Sequence, residues 1–397
     1  MNDPNGVMYD ENHGVYHVMY QDHLWGPMPD NVPEGREGPV WGHAVSADLV
    51  HWAHLPVSLW NGDGWYDMHG IFTGSATIVD SLGGPAITFP GLCDVYPPGS
   101  SELGPIPGCA YGYAFGVAVP DDPSDPLLRN WTNKHWIAND TFDDPSTAWQ
   151  TPQGEWRMIG HCGDGTFGDC GPDDDFDAAP IWASEDFMTW RKVGFTNMPA
   201  GECASMFPLP PLVDGTELPD GATQDVPLTH VHKWGCDWLK DCYQIGSWVD
   251  GEGDDPGVWS TSPSSPPDAL FEHGIYYAAK DFWDSSTSRR INWAWAPLYT
   301  DSFALPREVK YDPRLEQLVF SALPEQALLR NGTLGEVPLT AATTPLGQGA
   351  SAVTLAASAQ SEAGFVFELS DESANAVTVL LTCAGAAAAS FVIEVPL

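Results

Sequence analysis

Positive charge is scarce in this sequence: 15 Lys and Arg stand against 54 Asp and Glu, a net charge of −39. Such a polyanion is repelled by nucleic acid and by anionic membrane surfaces, so neither is expected as a partner. Long apolar runs are missing too. No run of 18 or more apolar residues exists, which excludes a bilayer-spanning helix of ordinary length. Segments fit for a three-turn helix are rare, because 40 Gly and 36 Pro, with many Asn and Asp, interrupt the chain. What remains is aromatic. Eighteen Trp sit in short runs between turn residues, the pattern of an all-β protein: a propeller, sandwich or barrel.

The opening, Met1-Asn2-Asp3-Pro4-Asn5-Gly6, is turn chemistry. Pro4 fixes φ and Asn5-Gly6 tolerates positive φ, while Val7, Tyr9 and Val15 to Tyr20 read as hairpin strands. A carboxylate pinned beside such a turn has a defined direction, which suits a nucleophile.

One internal echo points to stacked sheets. Ser46-Ala47-Asp48-Leu49-Val50-His51-Trp52 returns as Ser184-Glu185-Asp186-Phe187-Met188-Thr189-Trp190, each between two strand-like runs. Composition shifts near residue 305, and beyond Arg314 no Trp remains and Ala, Leu, Val, Thr and Ser alternate. The expected organisation is a catalytic domain over 1–305, a linker with a short helix over 306–335, and a β-sandwich over 336–397. The last is short for a sandwich and is expected to be partial.

Three sequons, at Asn130, Asn139 and Asn331, and eight cysteines favour an oxidising compartment. Cys93 with Cys109, Cys162 with Cys170 and Cys236 with Cys242 are the sequence-local candidates for disulfides. Export, secreted or vacuolar, is expected, with the leader outside this chain.

The acidic loops 171–175 and 250–255 lack EF-hand spacing and read as solvated turns, and His230-Val231-His232 has no evident third ligand. No metal and no cofactor are expected. Three carboxylates have more telling surroundings: Asp3 in the opening turn, Asp144 in Phe142-Asp143-Asp144-Pro145, and Glu202 in Gly201-Glu202-Cys203. Two carboxyl groups flanking a glycosidic bond suffice to break it, and a third beside the ring favours an oxocarbenium-like transition state. Trp and Tyr faces would stack on the sugar.

The segments carrying these residues resemble glycoside hydrolase family 32, the invertases, fructan hydrolases and related fructosyltransferases. The opening hexapeptide resembles the family's signature. Tyr16 to Gln21, Trp41 to Trp52, Trp65 to Thr77, Asp125 to Trp131, and Gly274 to Trp295 are similar to its further segments, in family order across roughly residues 1–330. The resemblance implies a five-bladed β-propeller with a C-terminal β-sandwich and a retaining mechanism. Asp3 would be the nucleophile, Glu202 the acid/base and Asp144 the transition-state stabiliser, with the carboxyls of Asp3 and Glu202 about 5 Å apart. Asn2, Gln21, Trp25 or Trp41, Phe72, Thr73 and Asp143 would line a fructose pocket. The substrate would be sucrose or a fructan, and the protein a monomer or homodimer.

Three positions depart from the family pattern. Asp143 stands where Arg is usual, removing a fork of donors and adding a charge expected to push neighbouring acids upward. Ala204-Ser205 follow Glu-Cys where Pro-Asp is usual, and Glu272 stands where many plant-like members have an Asp that touches the leaving sugar. Fructosyl transfer, fructan binding without turnover, and arabinan cleavage on a like propeller are the competing readings.

Overall fold

The computed structural model describes residues 1–23, 38–62, 64–93, 113–138, 142–162, 178–199, 201–209, 212–213, 216–217, 229–266, 269–297, 301–313, 315–330, 376–383 and 389–396. Trp25, the sequons at Asn139 and Asn331 and the acidic loop 171–175 lie outside the described residues.

Short aromatic and β-branched runs, punctuated by Gly and Asp turns, fold as antiparallel meanders. Five sheets follow one another along the chain. The first holds Met8–Asp10, Val15–Asp22, Val40–Ser46 and Trp52–Leu59. The second holds Ser75–Val79, Gly84–Leu92, Tyr113–Val119 and Asn133–Ala138, with Gly70–Ile71 alongside. Trp149–Gln150, Trp156–Ile159, Pro180–Ser184 and Arg191–Phe195 form the third. Ser205–Leu209, Thr229–Asp237, Lys240–Val249 and Val258–Thr261 form the fourth. Tyr277–Asp284, Arg289–Pro297, Arg307–Asp312 and Gln317–Ala322 form the fifth.

A single sheet cannot bury both faces, so each packs against the next. Five apolar seams result. Met19 and Trp41 meet Ile87 and Phe89 between the first and second sheets, and Phe115 and Val117 meet Trp156 and Trp182 between the second and third. Ile159 and Ile181 meet Met206 and Trp234 in the next seam, and Val231 and Ile245 meet Ala279 and Val309 in the one after. The fifth seam joins Tyr16, Val18 and Tyr20 to Phe282, Ile291 and Trp293, so the last sheet packs on the first and the ring closes. The molecule is a five-bladed β-propeller, and this closing seam fixes the N-terminal segment that carries Asp3.

The sequence echo is a real structural repeat. In both copies the aspartate accepts hydrogen bonds from the following turn: Asp48 from the amides of Val50 and His51, and Asp186 from those of Met188 and Thr189. Leu49 and Phe187 take positive φ, 59° and 66°, and a Trp follows three residues later. A third copy, missed in the sequence, joins the outer strands of the second sheet: Leu128 has φ 44° and Trp131 donates to its carbonyl. Its aspartate, Asp125, sits further upstream, which hides the match.

One expectation needs correction. The fifth sheet runs past residue 305, because Arg307–Asp312 and Gln317–Ala322 are hydrogen-bonded members of it. Loss of Trp marks a change in packing partners, not the end of the blade. The compact unit extends to Arg330, after a 3₁₀ helix over Pro324–Leu329 where a short helical connector was expected. Of the second unit, residues 331–397, the described part is one hairpin, Ala376–Cys383 with Ala389–Pro396. The loop 250–255 carries Glu252, Asp254 and Asp255 exposed, as expected of a solvated turn, while its backbone is held from within. The carbonyls of Gly251, Gly253 and Asp255 accept from Arg157, 1% exposed, whose five donors must be met inside the protein. Asp250 accepts from the indoles of Trp149 and Trp248.

Cys236 and Cys242 are disulfide-bonded, as expected, and Cys203 is free and buried. Cys93 is also disulfide-bonded, while Cys109, Cys170 and the Cys162 side chain lie outside the described residues.

Trp131 is 1% exposed in the first seam and anchors its own turn. Trp131→Ala should therefore cost about 3–5 kcal/mol, read as a lower urea midpoint with an unchanged slope.

Candidate active site

Each sheet offers the same end of its first strand to the centre of the ring. Asp3 lies just before Met8–Asp10, Thr73 before Ser75–Val79, Asp144 before Trp149–Gln150, Glu202 before Ser205–Leu209, and Tyr277 opens Tyr277–Asp284. Residues far apart in sequence therefore meet because their strands begin at one place.

Asp3 is held by backbone and side chains alike. Gln21 N donates to the Asp3 carbonyl (3.0 Å) and Asn2 N to the Gln21 carbonyl (3.0 Å), docking the opening turn on the end of Val15–Asp22. Thr73 Oγ1 donates to Asp3 Oδ2 at 2.6 Å, and Asn2 Nδ2 reaches Oδ1 at 3.2 Å. Gln21 completes the ring, giving its amide hydrogen to Thr73 Oγ1 (2.9 Å) and accepting from Asn2 Nδ2 (3.0 Å) and His23 Nε2 (2.7 Å). With its side-chain oxygen inward, the buried Asn5 amide shares the single Trp41 Nε1 hydrogen, at 3.0 Å, with the Phe72 carbonyl.

Asp144 takes a left-handed conformation, φ 46°, that Asp tolerates better than most residues. Its amide donates to Asp143 Oδ1 (2.9 Å), and its Oδ2 accepts from Cys203 N at 2.9 Å. That bond links the third blade to the segment carrying Glu202. Pro145, next in the chain, gives its carbonyl to Ser75 Oγ at 2.7 Å. Tyr277 OH donates to Glu202 Oε2, orienting that carboxyl, and Glu202 O accepts from Gly235 N at 2.8 Å. Burial and the neighbouring Cys203 and Glu202 raise the Tyr277 phenol well above its usual range, so it remains a donor.

The electrostatics follow from crowding. Burial pushes Asp3 up to about 6; the Thr73 bond opposes it, Asp144 and Glu202 add to it, and Lys280 works against it. Asp144 is likewise pushed up to about 6, by burial first, with Lys280 opposing and Glu202 adding. Asp143 rises well above the usual carboxylate range, through burial, then Asp144. Asp3 is raised, but by burial and the charges of Asp144 and Glu202; Asp143, the expected source of the push, is not among its causes. Asp143, Asp144 and His161 each bring one ligand atom within 4.8 Å of the others, close enough for a cation, but both carboxylates belong to the cluster just described and no metal role is assigned to them.

Of the other positions expected to line a sugar pocket, Phe72 is half-buried with its ring edge-on to Tyr113. Trp41 does not line an open face. It is fully buried in the first seam and donates to the Phe72 carbonyl at 2.9 Å, because its indole has an apolar slot and an acceptor there. Glu272 is bound to Arg307 (2.6 Å), which holds its carboxyl below its usual range against the opposing effect of burial, instead of standing among the carboxyls. Sequence reasoning overlooked Tyr277 and Lys280 as site residues, although both lie in the quoted segment Gly274 to Lys280.

The structure is thus a five-bladed ring with acidic side chains from separate blades gathered near one end of its first strands. The chain matches the family model "Glycosyl hydrolases family 32 N-terminal domain" over residues 1–312. It belongs to glycoside hydrolase family 32. It is 33% identical to an acid beta-fructofuranosidase of Vigna radiata over 346 residues, 79% of this chain and 46% of that protein. It is 31% identical to a fructan 6-exohydrolase of Triticum aestivum, over 74% of this chain and 48% of that protein. The crystal structure of fructan 1-exohydrolase IIa from Cichorium intybus superposes with a TM-score of 0.61 at 29% identity, covering 84% of this chain and 60% of that one. The chain spans about half the length of the curated relatives it matches.

The nucleophilic role that the sequence resemblance implies for Asp3 needs its ionised form, which it gains only above about 6. Activity should fall as pH drops through about 6, about two units above an unperturbed Asp. Thr73→Val removes a bond that favours the carboxylate, so the acid limb of kcat/KM should move to still higher pH; an unmoved limb would contradict this.

Proposed function

We propose that this site hydrolyses terminal β-fructofuranosyl bonds of sucrose or a fructan with retention. Asp3 attacks the anomeric carbon and forms a fructosyl ester, while Glu202 protonates the departing oxygen. Glu202 then takes a proton from water, which attacks the ester and frees fructose. Asp144, fixed by the Cys203 amide, hydrogen-bonds ring hydroxyls as positive charge develops on the sugar. Asn2, Gln21 and Thr73 hold the nucleophile and, with Phe72 and Asp143, border the sugar. The observation that carries this reading is the meeting of Asp3, Asp144 and Glu202 from three blades in one interacting cluster, in which Asp144 is buried, Asp3 half-buried and Glu202 exposed. The names of the plant relatives, acid beta-fructofuranosidase and fructan 6-exohydrolase, support it. A vacuolar form and an insoluble isoenzyme among such relatives accord with export.

The test is incubation with sucrose, inulin and levan followed by sugar analysis. Free fructose should appear, with Asp3→Ala abolishing it and Glu202→Gln lowering turnover by about 10²–10⁴-fold. Trisaccharides in concentrated sucrose would instead mark a transferase, and absence of both products would end the enzyme reading.

Asp143 crowds the cluster with a further acid. Asp143→Arg should raise turnover by restoring donors and positive charge; a clear fall would show that the pocket is tuned around the acid.

A further inference from the structure

Four carboxyl groups share this site, and the structure brings a cation to them by an irregular strand. In Tyr277–Asp284 the pairing slips between Tyr277 and Lys280: Tyr277 lies opposite Trp295 and Lys280 opposite Trp293. Directly opposed residues share a face, and Trp293 and Trp295 are two apart on their strand, so they point the same way. On a regular strand residues 277 and 280 would face opposite sides. The extra residue, with Ala278 at φ 53°, puts both on one side. That left-handed conformation is strained for an alanine and needs a reason.

Tyr277 reaches Glu202, and the Lys280 side chain, 2% exposed, donates to the Pro145 carbonyl at 3.4 Å, beside Asp143 and Asp144. The charged and titratable groups around it come from every neighbouring element. They are Asp3 from the opening turn, Asp143 and Asp144 ahead of the third sheet, Glu202 and Cys203 ahead of the fourth, and Tyr277 on its own strand. Nearby Lys233 is bound to Asp241 at 3.3 Å, and Asp281, next to Lys280, is bound to Arg290 at 2.9 Å.

We propose that Lys280 is the positioning cation of the site: its buried ammonium, aimed by the bulge at Ala278, keeps Asp3 and Asp144 ionised among like-charged neighbours. This rests on the hydrolytic reading above and assigns Lys280 no contact with the sugar. Desolvation makes a buried ammonium costly, so a purely structural role would be served as well by an apolar side chain. Lys280 also bears on Asp3, Asp143, Asp144 and Cys203, lowering each.

The experiment compares wild type with Lys280→Met, Lys280→Gln and Lys280→Arg across pH, on whichever fructoside wild type cleaves. Without the charge, ionised Asp3 and Asp144 lose stabilisation, so the acid limb of kcat/KM should move about one unit upward, about a tenfold loss on that limb. Lys280→Arg should keep the wild-type limb. Gln retains a donor for Pro145 and supplies the reading if the Met variant does not fold. Unmoved limbs in folded Met or Gln variants would overturn the proposal, as would failure of both to fold while Arg is normal, since that marks a structural cation. A wild type that releases fructose from no substrate would instead defeat the hydrolytic reading.

Discussion

Crowding several carboxyl groups into one partly buried site is the constraint on which this structure turns. Each such group prefers to be neutral when buried, and each neighbour adds to that preference. Asp3 and Asp144, both raised to about 6, show the tension directly. The protein relieves it selectively. Thr73 and Asn2 donate to Asp3, the Cys203 amide donates to Asp144, and Lys280 opposes the crowding on both. Asp143 has the Asp144 amide as a donor and Lys280 in opposition, yet burial and the Asp144 charge still raise it well above the usual carboxylate range.

A ring of blades suits this task because its strands start around one axis. The seams between sheets are apolar and closely packed, so the strand ends cannot drift apart. The same geometry concentrates strain. Asp144, Cys203 and Ala278 all take positive φ within the site, whereas Leu49, Leu128 and Phe187 do so in surface turns that cap the outer strands. In the turns the strain buries an anchoring Trp; in the site it aims a side chain.

Much of this was legible in the sequence for identifiable reasons. The hairpin after the Asn-Asp-Pro-Asn-Gly opening could be read directly, but Asn5 and Gly6 do not take the positive φ that pair tolerates, and the opening instead pairs with Met19 to Gln21. Asp48 and Asp186 revealed a repeated turn because the aspartate and Trp keep one spacing. The copy ending at Trp131 stayed hidden because its aspartate moved while the positive-φ residue did not. The boundary at 305 followed Trp content, yet hydrogen bonding carries the fifth sheet to Ala322. Trp41, Glu272 and Lys280 show the limit most clearly. Burial of an indole, capture of a carboxylate by Arg307 and a one-residue slip in register depend on partners remote in the chain.

The central claim is that Asp3 forms a covalent bond to the sugar inside this cluster. Its most direct test is to slow the second step with Glu202→Ala, supply a fructoside with a good leaving group, and map the adduct by peptide mass. A single fructosyl unit on the N-terminal peptide at Asp3 is the predicted result. An adduct on Asp143 or Asp144, or steady turnover with no adduct, would contradict it.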